Sequence, residues 1–165
     1  MKPVRRSAAR VLDRLIAGLD AVGQAVKFDN APGVFMAVHV ERIGSLGDLG
    51  PLFSIAHYFE QNGDLMRDPE MIFLRGTDGS YYPTYFRQDG IACAERFSVR
   101  LGDDGCLLVM TREQADEARF ASIWMANIKA QQLGRDLPDA TASHSSSRRR
   151  RRPGDATACL AGTRP

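Results

Sequence analysis

The sequence predicts an α+β fold, in which an antiparallel β-meander of about five to seven strands is flanked by an N-terminal and a C-terminal helix. Two observations support this fold class. Apolar residues recur at three- and four-residue spacing near both ends of the folded part of the chain, as in amphipathic helices. Between them, turn-forming residues separate short runs that are rich in β-branched and aromatic residues, which is typical of an antiparallel meander.

The N-terminal helix is predicted over residues 5–22, with Ser7 as a possible cap at its start. Three arginines, Arg6, Arg10 and Arg14, recur at i, i+4 and i+8 on one side of this helix. Because a short isolated helix is marginally stable in water, we expect its other side to pack against the domain. The apolar stripe on that side comprises Val11, Leu12, Leu15, Ile16 and Leu19.

Candidate strands follow from residue 34 onward. Residues 34–40 and 53–59 are rich in β-branched and aromatic residues, and the Gly-rich stretch 43–51 between them is predicted to be a flexible loop. The Gly-rich stretch lacks the GxGxxG pattern and the Gly-Lys-Ser/Thr pattern of phosphate-binding loops. We therefore assign no ligand to it.

The pair Asn62-Gly63 is the strongest hairpin signal, because both central positions of a type I′ turn need positive φ. Residues 67–69, Arg-Asp-Pro, are expected to interrupt the return strand, since proline cannot donate a ladder hydrogen bond. Residues 81–87 are predicted to form a further strand, in which Pro83 favours an edge position or a bulge.

The C-terminal helix is predicted from Thr111 to about Leu133. Thr111 and Gln114 have the spacing of a capping box, and Gly134 follows as a helix stop. A stripe at four-residue spacing is expected to cover one face of the sheet, and it comprises Phe120, Trp124 and Ile128. Residues 1–138 are thus predicted to form a single domain.

Net charge is unevenly distributed along the chain. The whole chain has 22 basic and 20 acidic residues, but residues 139–165 hold six of the basic and two of the acidic ones. Residues 1–138 therefore carry a formal charge of −2. With no excess of positive charge, this part of the chain is not expected to bind DNA by its net charge. The tail, 139–165, is rich in Arg and Ser and poor in large apolar residues, which predicts disorder.

The tail contains a run of five arginines that could bind nucleic acid weakly, with a strong dependence on salt. The alternative is an extension without a binding role. These arginines are Arg148, Arg149, Arg150, Arg151 and Arg152.

Several classes of protein are not indicated. No run of 18 apolar residues is present, so we expect no membrane span, and the N-terminus lacks the uninterrupted apolar stretch of a secretory signal. The three cysteines form no CxxC pair, which argues against a zinc knuckle or a disulfide framework. We therefore predict a cytoplasmic protein with no metal and no cofactor.

The densest group of polar residues suggests a site for a metal-dependent hydrolase or nuclease. His57 and Glu60 would not converge on a regular strand, because side chains three residues apart point to opposite faces. The alternative is a hairpin in which Arg67 pairs with a nearby carboxylate. The candidate catalytic residues are His57, Glu60, Asp64, Asp68 and Glu70.

Aromatic residues form a second group of candidates. Tyr81, Tyr82, Tyr85 and Phe86 could provide a stacking platform for bases, although aromatic residues in sheets commonly pack in the core or across strands. Tyr58, Tyr81, Tyr82 and Tyr85 are therefore candidates for an interaction surface.

Residues 56–71, AHYFEQNGDLMRDPEM, resemble the hallmark motif of a bacterial family of domains of unknown function. Residues 120–131 are similar to the C-terminal element of that family, and the resemblance covers about residues 8–134. It implies an accessory protein of plasmids, integrative conjugative elements or phages, and it implies no activity. With no convincing catalytic constellation, a non-enzymatic module that binds an unidentified protein partner is the leading hypothesis.

Overall fold

Six strands form one antiparallel sheet whose strand order follows the sequence, and two helices pack on one of its faces. The computed structural model describes residues 1–90 and 94–134. Its elements are α1 (Arg6–Leu15), β1 (Ala25–Phe28), β2 (Val38–Ser45), β3 (Pro51–Gln61), β4 (Asp64–Arg75), β5 (Tyr81–Gln88), β6 (Ala94–Phe97), β7 (Val99–Leu101), β8 (Leu107–Val109) and α2 (Thr111–Gln132).

The predicted α+β class, with a meander between two helices, is confirmed. Strands β1 to β6 form the meander, and β7 and β8 form a separate two-stranded sheet. Leu101 of β7 lies next to Gly47 in the connection between β2 and β3. Residues 139–165, predicted to be a disordered tail, lie outside the described residues.

The core lies between the sheet and the two helices. Alternate residues of the central strands point toward the helices and contribute apolar side chains to this core. Burying each of these large side chains contributes roughly 1.5–3 kcal/mol. The core includes Leu12, Leu15, Val38, Val40, Phe53, Ile55, Met71, Phe73, Trp124, Met125 and Ile128.

Helix α1 is shorter than predicted, although its apolar stripe is buried as expected. It ends at Leu15, and Gly18 follows with a φ of 81°. Ser7 is not the cap: the N-cap is Arg5, in an extended conformation, and no side chain caps the helix. The reason is tertiary, since the backbone N–H of Arg5 donates to Ser122 Oγ of α2 (3.0 Å).

The predicted capping box of α2 is also absent. Met110 is the N-cap and no side chain caps the helix. Gln114 is instead buried and donates its amide to the Lys2 carbonyl (2.9 Å), while its oxygen accepts from the Lys2 N–H (2.7 Å). Of the predicted helix stripe, Trp124 is buried, whereas Phe120 is 42% exposed.

The strands differ from the predictions in their ends and in their continuity. β2 begins at Val38 and continues to Ser45, into the stretch predicted to be a loop. β4 runs uninterrupted through the Asp68–Pro69 peptide bond, which is cis. The hairpin at Asn62-Gly63 is confirmed, with φ values of 56° and 87°.

Strand β4 accommodates its proline with one extra residue. Ala56 pairs with Glu70 and Tyr58 pairs with Arg67, so His57 alone lies opposite two residues of β4. A second register shift occurs between Ile72 and Phe73 opposite β5. Such bulges change which face a side chain occupies.

No helix among the described residues is long and apolar enough to cross a membrane.

Candidate functional site

The face of the sheet that points away from the helices carries a continuous group of polar and aromatic side chains. No helix in residues 1–90 and 94–134 packs against the central part of this face. We call this surface the open face. Its residues are Lys27, His39, Glu41, Ser54, Tyr58, Arg67, Glu70, Tyr85, Arg87, Glu95 and Phe97.

Asp89 joins two arginines at the end of β5. Arg87 Nε lies 2.7 Å from Asp89 Oδ1, and Arg67 Nη1 lies 3.3 Å from Asp89 Oδ2. The backbone N–H of Arg67 also donates to Asp89 Oδ2 (3.1 Å), and the backbone N–H of Asp89 donates to the Arg67 carbonyl (2.9 Å). The hydrogen bond from Arg87 is the main reason that the pKa of Asp89 falls to about 2. Asp89 is therefore ionised throughout the physiological range.

Arg67 also pairs with Glu70, three residues later on the same strand. Arg67 Nε lies 2.6 Å from Glu70 Oε2, and Ser54 Oγ donates to Glu70 Oε1 (2.7 Å). On a regular strand, residues i and i+3 point to opposite faces. The extra residue in β4 places both side chains on the open face, so the Arg67–carboxylate pair predicted as the alternative to a metal site is present.

Tyr85 and Glu95 extend this network to the edge strand β6. The Tyr85 hydroxyl donates to Glu95 Oε1 (2.7 Å), and Arg87 Nη1 lies 3.8 Å from the same oxygen. Burial and, to a smaller extent, the hydrogen bond to Glu95 raise the pKa of Tyr85 to about 12. Tyr85 therefore remains protonated and acts as a hydrogen-bond donor.

A shallow depression of about 300 Å³ lies beside the network, over β1, β2 and β3. Ala56, which is 1% exposed, lines it together with His39 and Tyr58, whose rings meet edge to face at 5.1 Å. Burial lowers the pKa of His39, and nearby Lys27 lowers it further. The histidine is therefore neutral at pH 7. The other lining residues are Ala25, Val26, Lys27, Val40, Glu41 and Ser54.

The candidate catalytic residues do not come together. His57 faces the helices: it is 4% exposed, its Nδ1 lies 2.9 Å from the Ala37 carbonyl oxygen, and its ring meets Trp124 edge to face. Burial lowers the pKa of His57. This histidine is part of the core.

The four acidic candidates lie in different surroundings. Glu60 and Asp64 are exposed near the hairpin turn, and Asp68 accepts a hydrogen bond from Gln88 Nε2 (2.6 Å). Glu70 alone joins the open face. In the described part of the chain, no three His, Cys, Asp or Glu side chains are grouped so that they could hold a metal ion.

The tyrosine candidates divide between the two faces of the sheet. Tyr58 and Tyr85 lie on the open face, and the Tyr82 hydroxyl donates to Asp78 Oδ2 (3.1 Å). Tyr81 is fully buried under α1, where its hydroxyl donates to Asp13 Oδ1 (2.6 Å). Burial raises the pKa of Tyr81. With Tyr81 and Phe86 in the core, these residues do not form the proposed stacking platform.

Sequence reasoning missed much of the open-face network. The sequence Gln-Asp-Gly at 88–90 is typical of a turn, and this pattern gives no sign that Asp89 joins Arg67 and Arg87. Ser54 and Glu95 carry no local signal at all. The arginines at 148–152 lie outside the described residues.

The fold and the open face define a two-layer α+β domain whose sheet carries a charged network opposite its helices. Residues 9–134 match the family model of a domain of unknown function, DUF6908. The chain therefore belongs to this family. No curated protein and no solved structure matches the chain.

Proposed function

We propose that this domain is a non-enzymatic binding module that holds a protein partner on its open face. The observation that carries this proposal is that the network fixes Arg67 and Arg87 on the same face as Tyr58 and Phe97. Arginine and aromatic residues are the types most enriched at the energetic centres of protein interfaces. Phe97, at 55% exposed, is the most accessible of these anchors.

The chemistry of the partner follows from the free donors of the network. Each guanidinium has five N–H groups, and the carboxylates of the open face accept from some of them. The Arg67 and Arg87 side chains are 33% and 30% exposed, so donors remain accessible to a partner. Carbonyl and carboxylate oxygens of a protein are suitable acceptors, while aromatic rings at Tyr58 and Phe97 provide apolar contact.

The pairing of the charged groups supports binding over catalysis. Ser54 donates its hydroxyl proton to Glu70, which is itself paired with Arg67. Asp89, with a pKa of about 2, is a poor proton acceptor near neutral pH, where an efficient general base has a pKa close to 7. The network therefore resembles a rigid recognition surface.

Site-specific photocrosslinking tests this proposal with two matched phenylalanines. Benzoylphenylalanine replaces Phe97 on the open face in one variant and Phe120 on α2, at 42% exposed, in the other. In the bacterium that carries the gene, we expect a discrete protein adduct at position 97. The adduct should disappear when Tyr58→Ala is added. Equal adducts at both positions, or none at position 97, would contradict the proposal.

We also propose that the protein is a cytoplasmic accessory protein of a bacterial mobile element. The motif at residues 56–71 supports this setting. The genes beside the coding sequence, read from the source genome, should include transfer or phage functions. Neighbouring genes that encode only chromosomal metabolism would argue against a mobile element. In a separate test, cell fractionation should find the protein in the cytosolic fraction.

A further inference from the structure

A largely apolar groove of about 460 Å³ lies where β7 and β8 meet the end of β6. Its three largest apolar side chains, Phe97, Leu108 and Met110, are 55%, 45% and 53% exposed. Contiguous apolar side chains that are this accessible commonly mark a surface that binds a partner. We call this surface the β7–β8 groove. The residues that line it are Phe97, Arg100, Leu108, Val109 and Met110.

The β7–β8 groove is continuous with the open face through Phe97. The rings of Phe97 and Tyr85 lie 4.7 Å apart between centroids, and Tyr85 is hydrogen-bonded to Glu95 in the charged network. Phe97 therefore forms the edge of the open face and one wall of the groove. A single partner that covers Phe97 reaches both surfaces.

Strand pairing explains why apolar and charged side chains share the β7–β8 groove. Val99 pairs with Val109 and is buried, so this residue of β7 points toward the domain. Arg100, the next residue, points the other way. It lies directly opposite Leu108, and residues opposite each other in an antiparallel pair project from the same face. One guanidinium is thus placed among apolar side chains outside the core.

The walls of the groove are held in place by hydrogen bonds around Ser98, which is fully buried. The Met110 N–H donates to the Ser98 carbonyl (2.8 Å), and the Ser98 N–H donates to the Thr84 carbonyl (3.0 Å). Ser98 Oγ donates to Glu117 Oε2 of α2 (2.6 Å). Met110 and Phe97 are therefore tied to each other and to the domain. A preformed groove loses less conformational entropy when it binds a ligand.

Arg100 gives the β7–β8 groove a positive charge that the described residues do not neutralise. Of the described residues that line the groove, Arg100 alone is charged, and it forms no ion pair with another described residue. Asp103 and Asp104 lie in the turn at the far end of the two strands, where Asp104 Oδ1 accepts a backbone N–H of the same turn (3.0 Å). A ligand with a carboxylate beside its apolar groups would gain a charge-assisted hydrogen bond from Arg100.

We propose that the β7–β8 groove binds an acidic, apolar segment of the protein partner. A large apolar side chain of this segment fills the space between Phe97 and Met110, and an adjacent Asp or Glu pairs with Arg100. Guanidinium suits this role because it matches a carboxylate with two parallel hydrogen bonds. The inference rests on the proposed function, since the segment belongs to the partner that is held on the open face.

Charge argues against the C-terminal residues of the chain itself as the occupant. Residues 139–165 contain six basic and two acidic residues, which gives a formal charge of +4. Such a segment repels Arg100 instead of neutralising it. A nucleic acid is also a poor fit, because one guanidinium supplies one phosphate contact and the rest of the lining is apolar.

NMR titration of the isotope-labelled full chain with two synthetic peptides tests the proposal. The acidic probe is Asp-Asp-Leu-Phe-Leu-Asp-Asp, and the matched basic probe is Lys-Lys-Leu-Phe-Leu-Lys-Lys. We expect the acidic probe to shift the backbone amides of Arg100, Leu108 and Met110. It should bind about tenfold more tightly than the basic probe, because like charges at a contact are costly. Equal affinities, or shifts confined to other surfaces, would overturn the proposal.

Substitutions separate the charge of Arg100 from the apolar contact and from net charge. Arg100→Glu should reverse the preference for the acidic probe, Arg100→Lys should retain most of it, and Leu108→Ser should weaken binding of both probes. Arg6→Glu is the matched control, because it makes the same change in net charge at an exposed residue of α1. The spectrum of each variant shows whether it is folded. Equal effects of Arg6→Glu and Arg100→Glu would overturn the proposal.

Photocrosslinking separates this inference from the proposed function. Benzoylphenylalanine in place of Leu108 should form an adduct with the same partner as at position 97. Mass spectrometry should find Asp or Glu beside a large apolar residue in the crosslinked segment. An adduct at position 97 without one at 108 would overturn this inference alone, as would an adduct at 108 with a second copy of the chain. No adduct at either position would overturn both proposals.

Discussion

The open face and the first turn of α1 surround their arginines in opposite ways. On the open face, Arg67 and Arg87 each contact carboxylates, and Asp89 bridges them. In the first turn of α1, Arg6 is exposed and that turn contains no acidic residue. Ion pairs between partly buried groups stabilise the fold, whereas a positive charge at the start of a helix opposes the helix dipole. Stability measurements should therefore separate the two regions.

The largest effect is expected at Asp89. Replacing Asp89 with Asn removes the carboxylate that two partly buried arginines share, and should lower the free energy of unfolding by about 2 kcal/mol. Urea denaturation at pH 7 measures it. The control is Asp116→Asn, which alters the pair with Arg119 on α2, where both side chains are more than half exposed. Such an exposed ion pair contributes little to stability. Equal losses of unfolding free energy in the two variants would show that the network around Asp89 is no more stabilising than an exposed pair.

Acid should weaken the same network. The pKa of Asp89 is depressed to about 2 in the folded protein, below about 3.9 in an unfolded chain. Its contribution is therefore fully present above the unfolded pKa and is lost as pH falls toward 2. The melting temperatures of wild type and Asp89→Asn should converge over this range.

A smaller effect is expected at Glu117, a buried acid in which only one carboxylate oxygen accepts a hydrogen bond. Ser98 Oγ donates to one oxygen (2.6 Å), while the other has no hydrogen-bond partner and lies 3.8 Å from Arg96 Nε. Burial raises the pKa of Glu117. Glu117→Gln should raise the free energy of unfolding at pH 7 by about 1 kcal/mol, because a neutral amide costs less to bury than a carboxylate.

The pH dependence of this gain has the opposite sign to that of Asp89. A carboxyl group with a raised pKa favours folding at low pH, and this contribution is lost as pH rises past its unfolded value. The gain from Glu117→Gln should therefore be absent near pH 4 and grow toward pH 7. Glu113→Gln, one turn earlier in α2, should give no gain at either pH.

The smallest effect is expected at Arg6. It lies in the first turn of α1, where a positive charge opposes the helix dipole and the first turn has no acidic residue. Arg6→Glu should raise the free energy of unfolding by about 0.5 kcal/mol. Arg6→Gln should give a smaller gain. Thermal denaturation of wild type and of both variants measures these changes. A loss of stability in both variants would show that Arg6 is structurally paired and would remove the contrast with the open face.

Features encoded by local residue patterns were predicted from the sequence. The turn at Asn62-Gly63 needs two positive φ angles, which these two residues adopt readily, and the structure has them. The apolar stripe of α1 is buried as its spacing indicated. Net charge was a poor guide by comparison, because a formal charge of −2 over residues 1–138 does not show that the arginines of the open face are paired with carboxylates.

Features that depend on distant residues were not predicted. The expected cap of α2 failed because Gln114 binds Lys2, which is 112 residues away. The expected break at Asp68-Pro69 is instead a continuous strand. Here β4 has one more residue than β3, and this bulge accommodates the proline. Nothing near these positions in the sequence signals either partner.

The residue patterns of this chain suffice for its helices, its hairpin turns and its α+β class, because helical period, alternation and turn chemistry act over a few residues. The tertiary structure alone decides which polar side chains meet. In a strand, the face of a side chain depends on the parity of its position, and one inserted residue reverses it. That reversal brings Arg67 and Glu70 together, and strand pairing brings Asp89 to both arginines of the open face.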